Sequence, residues 1–106
     1  MKAFVVEKIA NKEFASGIQE VSMPKCEENE VLIKVSYSSL NYKDALSSVG
    51  NPGVTRNFPH VTGIDVAGTV AESNCNVFKV GERVLVTGYD MGMNTHGGHA
   101  EFVKVP

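Results

Sequence analysis

Apolar and polar positions alternate along this chain in short runs separated by turn residues, the period-two pattern of half-buried strands. Residues 30–37 carry the pattern most clearly, with Val31, Ile33, Val35 and Tyr37 on one face. Residues 2–9 predict a first strand around Phe4 and Val6. Turns at Asn11-Lys12-Glu13 and Ser16-Gly17 bring residues 18–21 back as its partner. Residues 63–70 predict a strand with Ile64, Val66, Gly68 and Val70 on one side and Asp65, Ala67 and Thr69 on the other. Glycine weakens a strand unless a bend, a bulge or a close backbone approach requires it, so Gly63 and Gly68 mark such a place. Strands over 83–87 and 98–105 complete the set, the last directing Ala100, Phe102 and Val103 inward.

One helix is predicted. Asn41 has the character of an N-cap, and Asp44 stands at the third helical position, where an acid completes a capping box. The helix runs through Ala45 and Leu46 to about Val49, and Gly50 ends it. Pro24 excludes a central strand at residues 23–29. Asn51-Pro52-Gly53 is turn chemistry, residues 54–60 form an irregular loop, and residues 72–76 close the glycine-marked strand. Val80-Gly81-Glu82 is a further turn, and residues 88–98 form a long loop rich in glycine and methionine. Six or seven strands with one helix, and no strand–helix alternation, imply a mainly β, mostly antiparallel, partly open barrel.

Composition narrows the class. The 106 residues suffice for one domain with a real core. A hydrophobic content of 42% with 21% charged residues fits a folded chain and not a disordered one. A formal net charge of −2 gives no basis for nucleic acid or an anionic membrane as partner. The apolar runs are too short to cross a bilayer, and the N-terminus lacks the h-region of a signal peptide. Cys26 and Cys75 lie far apart without a CxxC pattern, which predicts free thiols and a cytosolic setting. The chain stops just after a strand, as expected of a cut through a longer protein.

Several groups of residues could carry chemistry. Asn41-Tyr42-Lys43-Asp44 either caps a helix and packs, worth about 1 kcal/mol, or presents backbone N–H groups, an amide, a phenol and an ammonium to a polar ligand. Asp65 sits among apolar neighbours, where an unpaired charge is expensive. It belongs either to a strand passing a ligand or to a barrel corner where the acid reaches solvent or an arginine. Arg56, in a loop with Asn57 and His60, could contact a phosphate or carboxylate, or stand exposed or paired with Asp65. His60, His96 and His99 do not form a zinc set: Gly97-Gly98 between the latter two opposes a helix, and no four Cys/His residues have zinc-finger spacing. The loop over 88–95 is long enough to be functional, and it holds no GxGxxG phosphate motif.

Several motifs occur in a telling order: Asn41-Tyr42-Lys43-Asp44, then Gly63-Ile64-Asp65-Val66-Ala67-Gly68-Thr69-Val70, then Gly81-Glu82-Arg83-Val84, then Gly97-Gly98-His99-Ala100-Glu101-Phe102. The order resembles the N-terminal, GroES-like catalytic domain of the medium-chain dehydrogenase/reductase superfamily. The strings Ser38-Ser39-Leu40-Asn41-Tyr42-Lys43-Asp44-Ala45-Leu46, Arg56-Asn57-Phe58-Pro59-His60-Val61 and Val86-Thr87-Gly88-Tyr89-Asp90-Met91-Gly92-Met93-Asn94 resemble its quinone-oxidoreductase-like branch, which includes bacterial NADPH-dependent acrylyl-CoA reductases. The resemblance spans residues 1–106. It implies a partly open GroES-like β-barrel with one or two short helices, forming the first domain of a two-domain enzyme. The Rossmann domain, absent from this chain, would hold most of the NADPH. Residues 1–106 alone are then expected neither to bind NADPH tightly nor to turn over.

Departures from the zinc-dependent relatives matter as much. Asn41 stands where those enzymes place a ligand cysteine, Ile64 where they place a histidine, and no four-cysteine segment follows Glu101. The resemblance therefore implies a zinc-independent enzyme that reduces an activated C=C bond of an enoyl thioester, enone or quinone by hydride transfer. Asn41, Tyr42 and Asp65 form the implied catalytic set. Tyr42 and then Asn41 are the implied NADP contacts, and Lys43 and Arg56 would bind an anionic substrate such as a CoA thioester. Asp65 is expected to hold Arg56 or Lys43, and the proton to the α-carbon comes from Tyr42 or solvent. A cytoplasmic homodimer acting on small molecules, with no nucleic-acid or membrane partner, is the implied whole. The alternatives are a stand-alone GroES-like binding or assembly module without catalysis, and a zinc dehydrogenase with unusual ligands.

Overall fold

A computed structural model describes residues 1–10, 13–50, 55, 57–87, 90–93 and 95–106. Strands β1 (Lys2–Ala10) and β2 (Glu13–Glu20) form an antiparallel hairpin whose register runs from Lys2 opposite Glu20 to Ala10 opposite Glu13. The returning strand therefore starts at Glu13 and not near residue 18. Ser16 and Gly17 are not a turn; they pair with Val6 and Val5 inside the ladder. The reason is one-sided burial: β1 places Ala3, Val5 and Val6 in the interior, whereas β2 is an edge strand whose residues are exposed or half-buried. The two-residue strand β4 (His60–Val61) pairs with the other side of β1, completing a three-stranded sheet in the order β2-β1-β4.

The second sheet has the order β6-β5-β3-β7, formed by β3 (Val31–Ser38), β5 (Val66–Ser73), β6 (Arg83–Val86) and β7 (Phe102–Val105), with all pairs antiparallel. Val31, Ile33, Val66, Val70, Met91, Val103 and Val105 form its buried cluster. Burying each such side chain contributes about 1.5–3 kcal/mol. Tyr37, expected on the face of Val31, is instead 78% exposed. The pairing slips between Val35 and Tyr37, and an irregularity of one residue reverses the face of the positions beyond it. In β7 the buried residues are Val103 and Val105; Phe102, and Ala100 just before the strand, are only half-buried. Residues 99–101 do not lie in that strand but stitch the two sheets together. Phe4 N–H bonds to the His99 carbonyl at 2.8 Å, Val35 N–H to that of Glu101 at 2.9 Å, and Glu101 N–H to that of Lys2 at 3.1 Å. Neither sheet closes on itself, and the architecture is a partly open β fold.

The stretch over 63–70 is divided. It becomes strand only from Val66, where Val66, Gly68 and Val70 are buried in alternation with Ala67 and Thr69. Gly63 has φ +112°, a value side chains rarely adopt, and a Cβ there would lie 2.6 Å from the His99 backbone nitrogen. The chain bends there, and residues 62–65 run as a corner between β4 and β5. At Gly68 the second explanation for a strand glycine holds, because a Cβ would collide with the Lys34 carbonyl of β3. The helix α1 (Tyr42–Ser48) follows β3 closely, with Asn41 as N-cap and Gly50 at φ +78° beyond its end. Among the described residues no helix is long and apolar enough to cross a membrane.

Candidate active site

Four segments meet at one edge of the fold: the exit of β3 at Ser38 and Ser39, the start of α1 at residues 41–44, the corner at 62–65, and residues 97–99. The helix start sets the geometry. The Asp44 Oδ2 oxygen accepts the Asn41 backbone N–H at 2.8 Å, the back-reaching half of the capping box. Its Oδ1 accepts the Gly63 N–H at 3.1 Å, so one carboxylate fastens the helix to the corner. The side chain is only 5% exposed.

Asn41 turns its amide toward the corner as well. Its Nδ2 donates to Ser39 Oγ at 3.0 Å and to Asp65 Oδ2 at 3.1 Å. Ser39 Oγ donates to the same Asp65 oxygen at 3.0 Å, and Ser38 Oγ donates to the Asp65 carbonyl at 2.7 Å. Asp65 is thus satisfied by an amide and a hydroxyl. The expected pairing with Lys43 is not formed: Lys43 is exposed, and among the described residues Asp65 makes no ion pair. The other expected partner, Arg56, lies outside the described residues. Hydrogen bonds to the charged form offset part of the cost of half-burying the acid.

His99 closes the network from the other side. Its Nε2 donates to the Ser39 carbonyl at 2.9 Å, and its Nδ1 shares a hydrogen bond with Thr62 Oγ1 at 2.7 Å. A carbonyl only accepts, so Nε2 carries a proton, and the neutral ring takes the Thr62 hydroxyl hydrogen on Nδ1. The same Nε2 stands 3.9 Å from Asp44 Oδ2. On sequence grounds Asp44 is only part of a cap, and His99 only a zinc candidate. The capping-box spacing points to the first; no local signal marks the second.

Tyr42 differs from all of these. Its side chain is 78% exposed on the first turn of α1, beside the locked amide, and among the described residues its phenol has no hydrogen-bond partner. The structure therefore brings Asn41 and Asp65 into direct contact and leaves Tyr42 and Lys43 pointing to solvent on the same turn.

The other histidines serve the fold. His60 Nε2 donates to the Gly92 carbonyl at 2.9 Å, Val61 N–H donates to His96 Nδ1 at 3.2 Å, and the two rings stack with centroids 6.0 Å apart. Burial holds the His60 pKa below its usual value, partly opposed by the Gly92 carbonyl, and burial followed by Lys104 does the same to His96. Cys26 and Cys75 are free thiols. Burial, then Glu72, pushes Cys26 up, while the Phe78 and Val77 backbone N–H groups and Ser73 lower Cys75. No cluster of three or more His, Cys, Asp or Glu residues suited to a metal occurs among the described residues. A cavity of about 580 Å³ is lined by Val5, Val61, Met91, Ala100 and Val103, and none of Asn41, Tyr42, Asp44 or Asp65 borders it. The polar network lies at an open edge instead.

Residues 27–106 match the alcohol dehydrogenase GroES-like domain. The chain belongs to that family. Its relatives place it among the medium-chain dehydrogenases/reductases. It is 43% identical over 105 residues to a probable acrylyl-CoA reductase of Escherichia coli K12, covering 99% of this chain and 32% of that protein. It is 39% identical over 89 residues to a putative quinone oxidoreductase of Bacillus subtilis, covering 84% of this chain and 27% of the relative. The yhdH oxidoreductase of Salmonella enterica, crystallised in complex with NADP, superposes with a TM-score of 0.86 at 38% identity, over 96% of this chain and 31% of its own. The relatives are oxidoreductases, and this GroES-like chain spans about a third of their length or less.

Proposed function

We propose that this chain is the substrate-side domain of a longer, NADPH-dependent oxidoreductase that reduces an activated C=C bond without zinc. The substrate is an enoyl thioester such as acrylyl-CoA, a small enone or a quinone, and the full-length protein acts as a cytoplasmic homodimer. The observation that carries the reading is the turn at 41–44, where an exposed phenol adjoins an amide locked by two neighbours. An amide at Asn41 and a hydrocarbon side chain at Ile64 are poor zinc donors, and the nearby imidazole of His99 has both nitrogens engaged.

NADPH, when bound, supplies a hydride to the β-carbon. The residues of this chain handle the consequences. Negative charge develops on the carbonyl oxygen of the resulting enolate, and Tyr42 has an O–H to offer it that meets no competing partner among the described residues. Asn41 has both Nδ2 hydrogens committed, so its part is to border the nicotinamide and hold the turn. Asp65 holds Asn41 and Ser39 instead of moving a proton. Lys43, exposed beside Tyr42, would meet an anionic substrate group, and Arg56 is assigned the same task from the sequence alone. The α-carbon then takes a proton from Tyr42 or solvent. Steady-state NADPH oxidation by the full-length protein with acrylyl-CoA, crotonyl-CoA and a benzoquinone tests this. Turnover with at least one is expected, and failure with all three contradicts the proposal.

A further inference from the structure

We propose that Asp44 and His99 are positioning residues that together aim the turn bearing Asn41 and Tyr42 against the corner bearing Asp65; this rests on the reductase reading above. Capping alone does not explain Asp44. The back-reaching half of a capping box uses one carboxylate oxygen. Here the second oxygen crosses to the Gly63 N–H, nineteen residues away in sequence, and the side chain is 5% exposed. Burying a carboxylate is costly, and this one is offset by two backbone N–H groups and an imidazole edge at 3.9 Å. His99 is likewise fully used: one nitrogen holds the Ser39 carbonyl and the other the Thr62 hydroxyl. One carboxylate and one ring thus join all four segments of the site.

The helix cannot supply this order by itself. At seven residues α1 is far below the length at which a helix holds its own ends in water, about 12–15 residues. The direction of the Tyr42 phenol therefore depends on what fastens Asn41 and Ser39. Neither Asp44 nor His99 needs to touch substrate for their loss to misplace the residue that does.

The test uses the full-length protein and its isosteric Asp44→Asn variant. An amide cannot accept both N–H groups, because its nitrogen end meets one of them donor to donor. With whichever of acrylyl-CoA, crotonyl-CoA and a benzoquinone the wild type reduces fastest, kcat is expected to fall about 10- to 100-fold while the NADPH Kd stays within about twofold. Amide hydrogen exchange at Asn41 and Gly63 is expected to speed up while that of β3 and β5 is unchanged. A variant whose folded fraction keeps wild-type kcat, or whose two amides stay as protected as before, overturns the proposal alone. A wild type inactive on all three substrates overturns the reductase reading and this proposal with it. If Asp44→Asn does not fold, Thr62→Val removes the hydroxyl from His99 Nδ1 at nearly constant volume. A severalfold loss of kcat at unchanged NADPH affinity supports the clamp, and wild-type kinetics overturn it.

Discussion

Asn41 donates to Asp65 across 3.1 Å, and the same carboxylate oxygen takes the Ser39 hydroxyl at 3.0 Å. Two donors on one oxygen make Asp65 an anchor. Replacing it with alanine removes the acceptor of both donors, and the Asn41 turn loses its fixed orientation. Asp65→Ala in the full-length protein is expected to lower kcat/KM for the C=C substrate about tenfold. Thermal unfolding should shift little, because the acid is only half-buried. Unchanged kinetics would show that the contact does no catalytic positioning.

Tyr42→Phe separates chemistry from folding. The phenol is exposed and makes no bond within the described structure, so the substitution is expected to change stability by no more than about 0.5 kcal/mol. If the hydroxyl holds the enolate oxygen, kcat and kcat/KM fall together, by about a hundredfold for a lost oxyanion donor. A rise in the NADPH KM alone would assign the hydroxyl to the cofactor.

Gly63→Ala tests the corner. The backbone at φ +112° costs an alanine about 1–3 kcal/mol, and its Cβ would also lie 2.6 Å from the His99 nitrogen and 2.8 Å from that of Gly98. A drop in Tm of several degrees is expected, larger than for alanine at Gly17, where a Cβ meets nothing within 4 Å. Equal losses at the two positions would refute this account of the bend.

His60 makes stability depend on pH. Its folded pKa lies below the usual 6.5 because burial opposes the imidazolium, with His96 adding to the effect. Below pH 6.5 the unfolded chain binds the proton more readily than the folded one, so stability is full above 6.5 and falls as pH drops from there toward the folded value. Urea unfolding at pH 7.5 and 5.5 should show this loss, and His60→Gln should reduce it. An identical pH difference in the variant would place the titration elsewhere.

The parts of the fold readable from sequence are those where burial is one-sided. Residues 66–70 alternate because one face meets the core, and Val31, Ile33 and Val35 turn to that same core although Leu32 between the first two is buried as well. β2 escaped because an edge strand that buries little imposes no alternation, and Tyr37 because a slip in the ladder is not written in residue types. The helix cap at Asn41 and Asp44 was legible since its partners are three residues apart. The bond from Asp44 to Gly63 spans 19 residues and that from His99 to Ser39 spans 60, so only the folded chain reveals them. Of the two cations expected beside Asp65, Arg56 lies outside the described residues and Lys43 does not pair with it; N–H and O–H donors also satisfy a carboxylate, and the family pattern does not distinguish them from a cation.

Hydride transfer from NADPH to the β-carbon without zinc is the central claim, and isotope transfer in metal-free protein tests it most directly. Full-length protein dialysed against a chelator would be given NADPH carrying deuterium at the transferable C4 position, with acrylyl-CoA, and the propionyl-CoA examined by mass spectrometry. One deuterium on the β-carbon is predicted, formed at the same rate as before dialysis. Loss of turnover on chelation that zinc restores, or propionyl-CoA without deuterium, would contradict it.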